Sequence, residues 1–254
     1  MNRYLTSLYF VAFVVLAWTT PIRAEDVAAV PLPTTVFENL QAGKKQTVIA
    51  YGTSLTHQGA WTGEIGRYFT TQFPDQVTFK NAAQSGKNSE WGLANFNERV
   101  LAHRPDLVLI EFSVNDAVTR GDITLEESRT NLDKMVQALR QQNPKIDIIL
   151  QTMNPAWDAP KTAPKKSASD RPNLDAYYEV YRSYAREHSL PLLDHYVTWR
   201  AMQKDQPEKF QKVVPDGIHP NHSASQWVTG QGVKGLLKKA RDAAIPKSSN
   251  EVKK

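Results

Sequence analysis

DLVLIEFSVND, residues 106–116, is apolar at every position from Leu107 to Ile110 and turns polar within a few residues. An extended chain with no polar face must be covered on both sides, which is the habit of a parallel strand lying between two layers of helices. Four more segments read as strands: QTVIAYG (46–52), VTFKNAA (77–83), KIDIILQTMN (145–154) and LPLLDHY (190–196). Helix-period segments stand between them. AWTGEIGRYFTTQF (60–73) places Ile65, Tyr68 and Phe69 on one face, and SEWGLANFNERVLAHR (89–104) is closed by Pro105. TLEESRTNLDKMVQALRQQ (124–142) opens with a Thr124/Glu127 capping box and carries Leu132, Met135, Val136 and Leu139 on one stripe. NLDAYYEVYRSYAREHS (173–189), TWRAMQKDQPEKF (198–210) and SASQWVTGQGVKGLLKKARDA (223–243) complete the set. The alternation predicts one doubly wound α/β domain, with five parallel strands covered by helices on both faces.

The 254 residues are 41% hydrophobic and 22% charged, enough to bury a sizeable core. MNRYLTSLYFVAFVVLAWTTPIRA (1–24) has an early Arg3, an apolar run from Leu8 to Trp18 and a small residue, Ala24, before the acidic pair. This is the pattern of a secretory signal peptide, and the run is shorter than the roughly 20 residues a spanning helix needs. The expectation is therefore cleavage after Ala24, no stable membrane insertion afterwards, and a periplasmic or secreted protein. A Pro-rich leader (25–44), the folded domain (45–243) and a basic tail (244–254) follow. Without residues 1–24 the chain keeps 29 basic and 26 acidic residues, a net charge of +3. No aromatic and basic stripe suggests a nucleic-acid partner. Zero Cys excludes disulfides, a cysteine nucleophile and a thiolate metal site.

Ligands of such a sheet bind outside the carboxyl ends of its strands. After the first strand come Thr53, Ser54, Thr56 and His57; after the second Gln84, Ser85 and Gly86; after the third Ser113, Asn115 and Asp116; after the fourth Asn154, Trp157 and Asp158. The loop before the last helix, PDGIHPN, carries Asp216 and His219. A serine hydrolase needs a hydroxyl nucleophile, a base, a carboxylate to orient the base, and donors for the developing oxyanion. Ser54, His219 and Asp216 supply the first three, and the Gly86 N–H and the Asn115 amide are candidate donors. Each has a plainer reading as well. Ser54 could satisfy a turn, Asp116 is read mainly as a cap, and His222 is read as capping the last helix and not as the second member of a metal pair. The Gly-x-Ser-x-Gly elbow that would favour Ser85 is absent from the chain.

GTSLT (52–56), NAAQSG (81–86), VND (114–116) and DGIHP (216–220) resemble, in order and in place, the four blocks of the SGNH or GDSL-type hydrolases. The resemblance implies a flavodoxin-like three-layer α/β/α sandwich and no metal or organic cofactor. It also implies Ser54 as nucleophile, His219 as base oriented by Asp216, and an oxyanion hole of the Ser54 N–H, the Gly86 N–H and Asn115. Thr53 replaces the family's usual Asp, and Ser113 stands where a Gly is common. Substrate contacts are expected from His57, Trp61, Trp157 and Asp158, Trp61 being as readily core. The long loop 154–172, with four prolines, is a candidate lid or binding surface. The expected reaction is removal of short acyl groups, acetyl above all, from a small-molecule or polysaccharide ester. A lipase, lysophospholipase or thioesterase of the same family is the alternative, and a non-catalytic carbohydrate-binding protein a further one.

Overall fold

In the computed structural model, residues 31–160 and 168–245 are described. The expected signal peptide and most of the basic tail lie outside the described residues. In chain order the elements are α1 (Thr35–Gln41), β1 (Gln46–Gly52), α2 (Ser54–His57), α3 (Ala60–Gln72), β2 (Val77–Asn81), α4 (Ser89–Ala94), α5 (Phe96–Arg99), β3 (Leu107–Glu111) and α6 (Ser113–Asp116). They continue with α7 (Leu125–Gln142), β4 (Asp147–Thr152), α8 (Leu174–Glu187), β5 (Leu192–Asp194), α9 (His195–Asp205), α10 (Pro207–Val213), α11 (His222–Ala224) and α12 (Gln231–Ala244).

The five strands form one parallel sheet in the order β2-β1-β3-β4-β5. The pleat divides β1, β3 and β4 between two cores. Val48, Ala50, Leu107 and Leu109 face a cluster with Phe37, Ile65, Phe69 and Leu237, from α1, α3 and α12. Ile49, Tyr51, Val108 and Ile110 face Phe96, Leu132, Val136 and Tyr184, from α5, α7 and α8. Every residue of β3 is buried, as its lack of a polar face requires. The fold is the expected three-layer α/β/α sandwich. The capping box of α7 forms as the sequence implies, Thr124 accepting from the Glu127 N–H and Glu127 from the Thr124 N–H.

Three expectations are corrected. The stretch 25–44 is not all leader: Thr35–Gln41 is helical, and Val36, Phe37 and Leu40 are buried in the first core. Each such burial contributes about 1.5–3 kcal/mol. The Val36 N–H also donates to Asp147 at the start of β4, 2.7 Å away. The segment 89–104 is not one helix but α4, α5 and a 3₁₀ turn, Leu101–His103. At α11, which continues through a π-helical stretch, Ser225–Gly230, into α12, Asn221 and not His222 is the cap, accepting from the Ala224 N–H at 2.9 Å.

The sheet order reverses beside β1, since β2 lies on one side of it and β3 on the other. The crevice of such a sheet opens at that reversal, above the carboxyl ends of β1 and β3.

Candidate active site

The chain leaving β1 is held from below by Glu111, the last residue of β3. Its carboxylate is buried and accepts the Thr53 N–H at 2.7 Å, the Thr53 hydroxyl at 2.9 Å and the Thr56 hydroxyl at 2.7 Å. Gly52 is required because a Cβ there would lie 2.3 Å from this carboxylate and 2.4 Å from the Glu111 carbonyl. Burial pushes Glu111 up to about 7, against the lowering effect of the Thr56 and Thr53 hydrogen bonds. Thr53 thus gives up the usual acidic side chain at its own position and takes a carboxylate partner from the neighbouring strand. The local sequence signal for Glu111 is a lone acid in an otherwise apolar strand.

Ser54 opens α2. Its hydroxyl donates to His219 Nε2 at 2.7 Å, the tautomer in which Nδ1–H donates to Asp216 Oδ2, also at 2.7 Å. The other Asp216 oxygen accepts the N–H groups of Ile218 at 3.0 Å and His219 at 2.7 Å, so the carboxylate folds its own loop around itself. Burial alone would raise the Asp216 pKa. The hydrogen bonds from the His219 ring and from the two N–H groups outweigh it and hold the carboxyl well below the usual carboxylate range.

Two residues after β4 clamp this loop. Asn154, buried, donates its amide to the Ile218 carbonyl at 2.8 Å. Trp157 donates its backbone N–H to Gly217 O at 3.0 Å and its indole N–H to Val214 O at 2.6 Å, and packs against the Trp199/Phe210 cluster.

Gly86, at φ 74°, is exposed and faces the same cavity as Ser54, Asn115 and His219, a space of about 590 Å³. The Asn115 amide donates one N–H to the Lys87 carbonyl at 2.9 Å, which ties the loop after β3 to the loop after β2 and leaves the second N–H for another acceptor. A smaller hollow of about 110 Å³ opens on the other side of Ser54 and His219, walled by Leu55, Met153, Asn154, Pro220 and Thr229.

The expected substrate contacts fare unevenly. His57 is exposed, with Nδ1 2.9 Å from the hydroxyl of Ser85, a residue of the cavity wall. Trp61 is not a pocket wall: it is 1% exposed, lies in the first core and donates its indole N–H to the Leu55 carbonyl at 2.9 Å. Trp157 and Asp158 do not line either space. Trp157 braces the His219 loop, and Asp158 accepts from the Ser169 N–H and hydroxyl. The Pro-rich loop instead delivers Arg171, buried against the Val114 carbonyl and lining the large cavity; the local sequence did not single it out. Asp116 does not cap the segment that follows it: it accepts from the N–H of Ser89, the first residue of α4, whose N-cap is Asn88, and from the Ser128 hydroxyl of α7. Among the described residues no group of three His, Asp or Glu gathers to hold a metal ion, and no helix is long and apolar enough to cross a membrane.

Known proteins share this fold and part of this sequence. The profile of the GDSL-like Lipase/Acylhydrolase family matches residues 49–227. An arylesterase of Vibrio mimicus is 27% identical over 64% of this chain and 71% of its own. The thioesterase 1/protease 1/lysophospholipase L1 of Escherichia coli K12 is 25% identical over 79% of this chain and 88% of its own. Among solved structures, a lipase/acylhydrolase from Enterococcus faecalis has a TM-score of 0.60 at 22% identity, covering 80% of this chain and all of its own. An acetylxylan esterase from Geobacillus stearothermophilus has a TM-score of 0.60 at 19% identity, with 76% and 94% covered.

Proposed function

The chain belongs to the GDSL-like lipase/acylhydrolase family, and on that premise we propose that it is an exported serine ester hydrolase that removes short acyl groups, acetyl above all, from carbohydrate. The observation that carries the chemistry is the unbroken hydrogen-bond chain from Ser54 through His219 to Asp216.

In this reading His219 Nε2 takes the Ser54 proton as Oγ attacks the ester carbonyl, and Asp216 steadies the imidazolium that forms. The oxyanion is stabilised by the N–H groups of Ser54 and Gly86 and by the Asn115 amide. The intermediate collapses with cleavage of the ester C–O bond, and the alcohol leaves with the proton from His219. Water, deprotonated by His219, then attacks the acyl-serine; the acid departs and Ser54 recovers its proton.

The preference for short acyl groups is supported by the hollow beside Ser54. At about 110 Å³ it is much smaller than the main cavity of about 590 Å³, and the smaller space favours the smaller acyl group. Carbohydrate as the alcohol is supported by the polar wall of the larger cavity, which includes Gln58, Ser85 and Asn88, and by the signal-peptide pattern of residues 1–24. One observation favours a longer acyl group: that same cavity also presents Leu55, Trp91, Val114, Val118 and Ile218, and an apolar chain would fit against them.

The test is hydrolysis of p-nitrophenyl esters from acetyl to octanoyl together with acetate release from a panel of acetylated polysaccharides. Rates should fall beyond propionyl or butyryl and vanish in Ser54→Ala. Rates that climb toward octanoyl would replace the short-acyl reading with the lipolytic one, and esterase activity surviving in Ser54→Ala would remove the nucleophile.

A further inference from the structure

The large cavity is lopsided in charge. Among the described residues Lys87, Arg120 and Arg171 line it, and no Asp or Glu does. The three cations come from separate loops, after β2, after β3 and before α8, so their convergence is a product of the fold and not of a local basic run.

Each is arranged differently. Lys87 forms no ion pair among the described residues; its ammonium lies 5.8 Å from the centre of the Trp91 ring, at the outer limit of a cation–π contact. Arg120 is 63% exposed and meets Asp170 at 3.4 Å. A pair so exposed contributes roughly 0–1 kcal/mol, and its guanidinium can exchange partners at little cost. Arg171 is buried, its Nε donating to the Val114 carbonyl at 2.8 Å, and burial disfavours its charge. Arg120 opposes the charge on Arg171 while Asp170 and Asp216 favour it, so the cations are partly balanced and an anion entering the cavity still meets a predominantly positive wall.

The reacting carbonyl does not account for this charge. Its oxyanion has neutral donors in Gly86, Asn115 and Ser54, and among the described residues no Asp, Glu, Lys or Arg lines the small hollow that suits the acyl group. The cations therefore face the alcohol half of the ester. Arg120 and Arg171 offer planar forks that match a carboxylate or sulfate, while Lys87 offers a point charge.

We propose that the alcohol half of the substrate is an anion-bearing sugar of the uronic-acid type, its carboxylate held by Lys87 and Arg120 with Arg171 behind them. This rests on the ester-hydrolase reading above. Steering by the same charges raises the capture rate of an acidic polymer over a neutral one.

The experiment compares acetate release from mono-O-acetylated methyl glucuronoside and from the matching methyl glucoside, with p-nitrophenyl acetate as a third substrate. In the wild-type protein the ratio of kcat/KM, uronide over glucoside, should be tenfold or more at low salt. It should shrink as salt approaches about 1 M, where the screening length is about 3 Å. In Lys87→Gln/Arg120→Gln the ratio should collapse toward one, chiefly through KM for the uronide, and an Arg120→Lys variant should recover part of it. A wild-type ratio near one, or a ratio that survives the double substitution, overturns the proposal. So does cleavage of p-nitrophenyl acetate, dependent on Ser54, with neither sugar ester cleaved; the hydrolase reading then stands without it. No turnover of any of the three esters overturns that reading as well.

Discussion

His219 Nε2 lies 2.7 Å from Ser54 Oγ although 165 residues of chain separate the two. The contact depends on Asp216, which accepts from His219 Nδ1 and keeps the acceptor nitrogen turned toward the serine. Asp216→Asn preserves the size of the side chain but offers a donor where an acceptor is needed. The expected result is a fall in kcat on the order of 10⁴ with little change in melting temperature, read from p-nitrophenyl acetate turnover. Activity within tenfold of wild type would mean that Asp216 only shapes the loop.

Asn115 is fixed by one N–H on the Lys87 carbonyl, which positions the other without a titrating group. Asn115→Ala should lower kcat on the order of 10² to 10³ and leave KM nearly alone, since the lost bond forms fully only in the transition state. An effect confined to KM would place Asn115 in ground-state binding.

Glu111 gives a pH signature. Its folded pKa is raised to about 7 from 4.5, so between those values the folded chain keeps a proton that the unfolded chain has released. Folding stability supplied by this group is therefore lost as pH rises through that window. His195, buried and lowered to about 4, acts in the opposite sense at the acidic end, so the comparison must be with a variant. Glu111→Gln should gain stability relative to wild type between pH 5 and pH 8, by about 3 kcal/mol at most, measured by urea unfolding at both values. A difference that does not grow with pH would show that the carboxylate is charged or neutral throughout.

Trp157 joins the Val214 carbonyl through its indole N–H. Trp157→Phe keeps an aromatic ring and leaves that carbonyl without its partner, at a cost of about 1–3 kcal/mol. Because the loop ahead of Asp216 and His219 loosens, kcat should fall more than KM rises. A rise in KM alone would return Trp157 to the substrate surface.

Phe37 is fully buried in the first core. Phe37→Ala should cost about 3–5 kcal/mol and lower the melting temperature on the order of 10 °C. No loss would mean that α1 is dispensable and belongs to the leader after all.

The sequence by itself determined the class of the fold. Apolar runs without a polar face, alternating with helix-period segments, can bury their surfaces only as a parallel sheet between helices, and the polar residues at the strand ends then fall on one edge. Helix α1 escaped because Val36, Phe37 and Leu40, though spaced for one helical face, make up a single short turn-and-a-half beside a Pro-rich stretch, too brief to stand out locally; the core that receives Phe37 secures the helix. Trp61 and Trp157 were aromatics near the site, and which way each ring turned depended on the carbonyls of Leu55 and Val214, one nearby in the chain and one far from it. Glu111 under Thr53, and Lys87, Arg120 and Arg171 around one cavity, were likewise decided by tertiary structure. A periodic pattern reports which face of a segment is apolar. It holds no information about which distant residue that face will meet, and hydrogen bonds and charges act only between groups the folded chain has brought together.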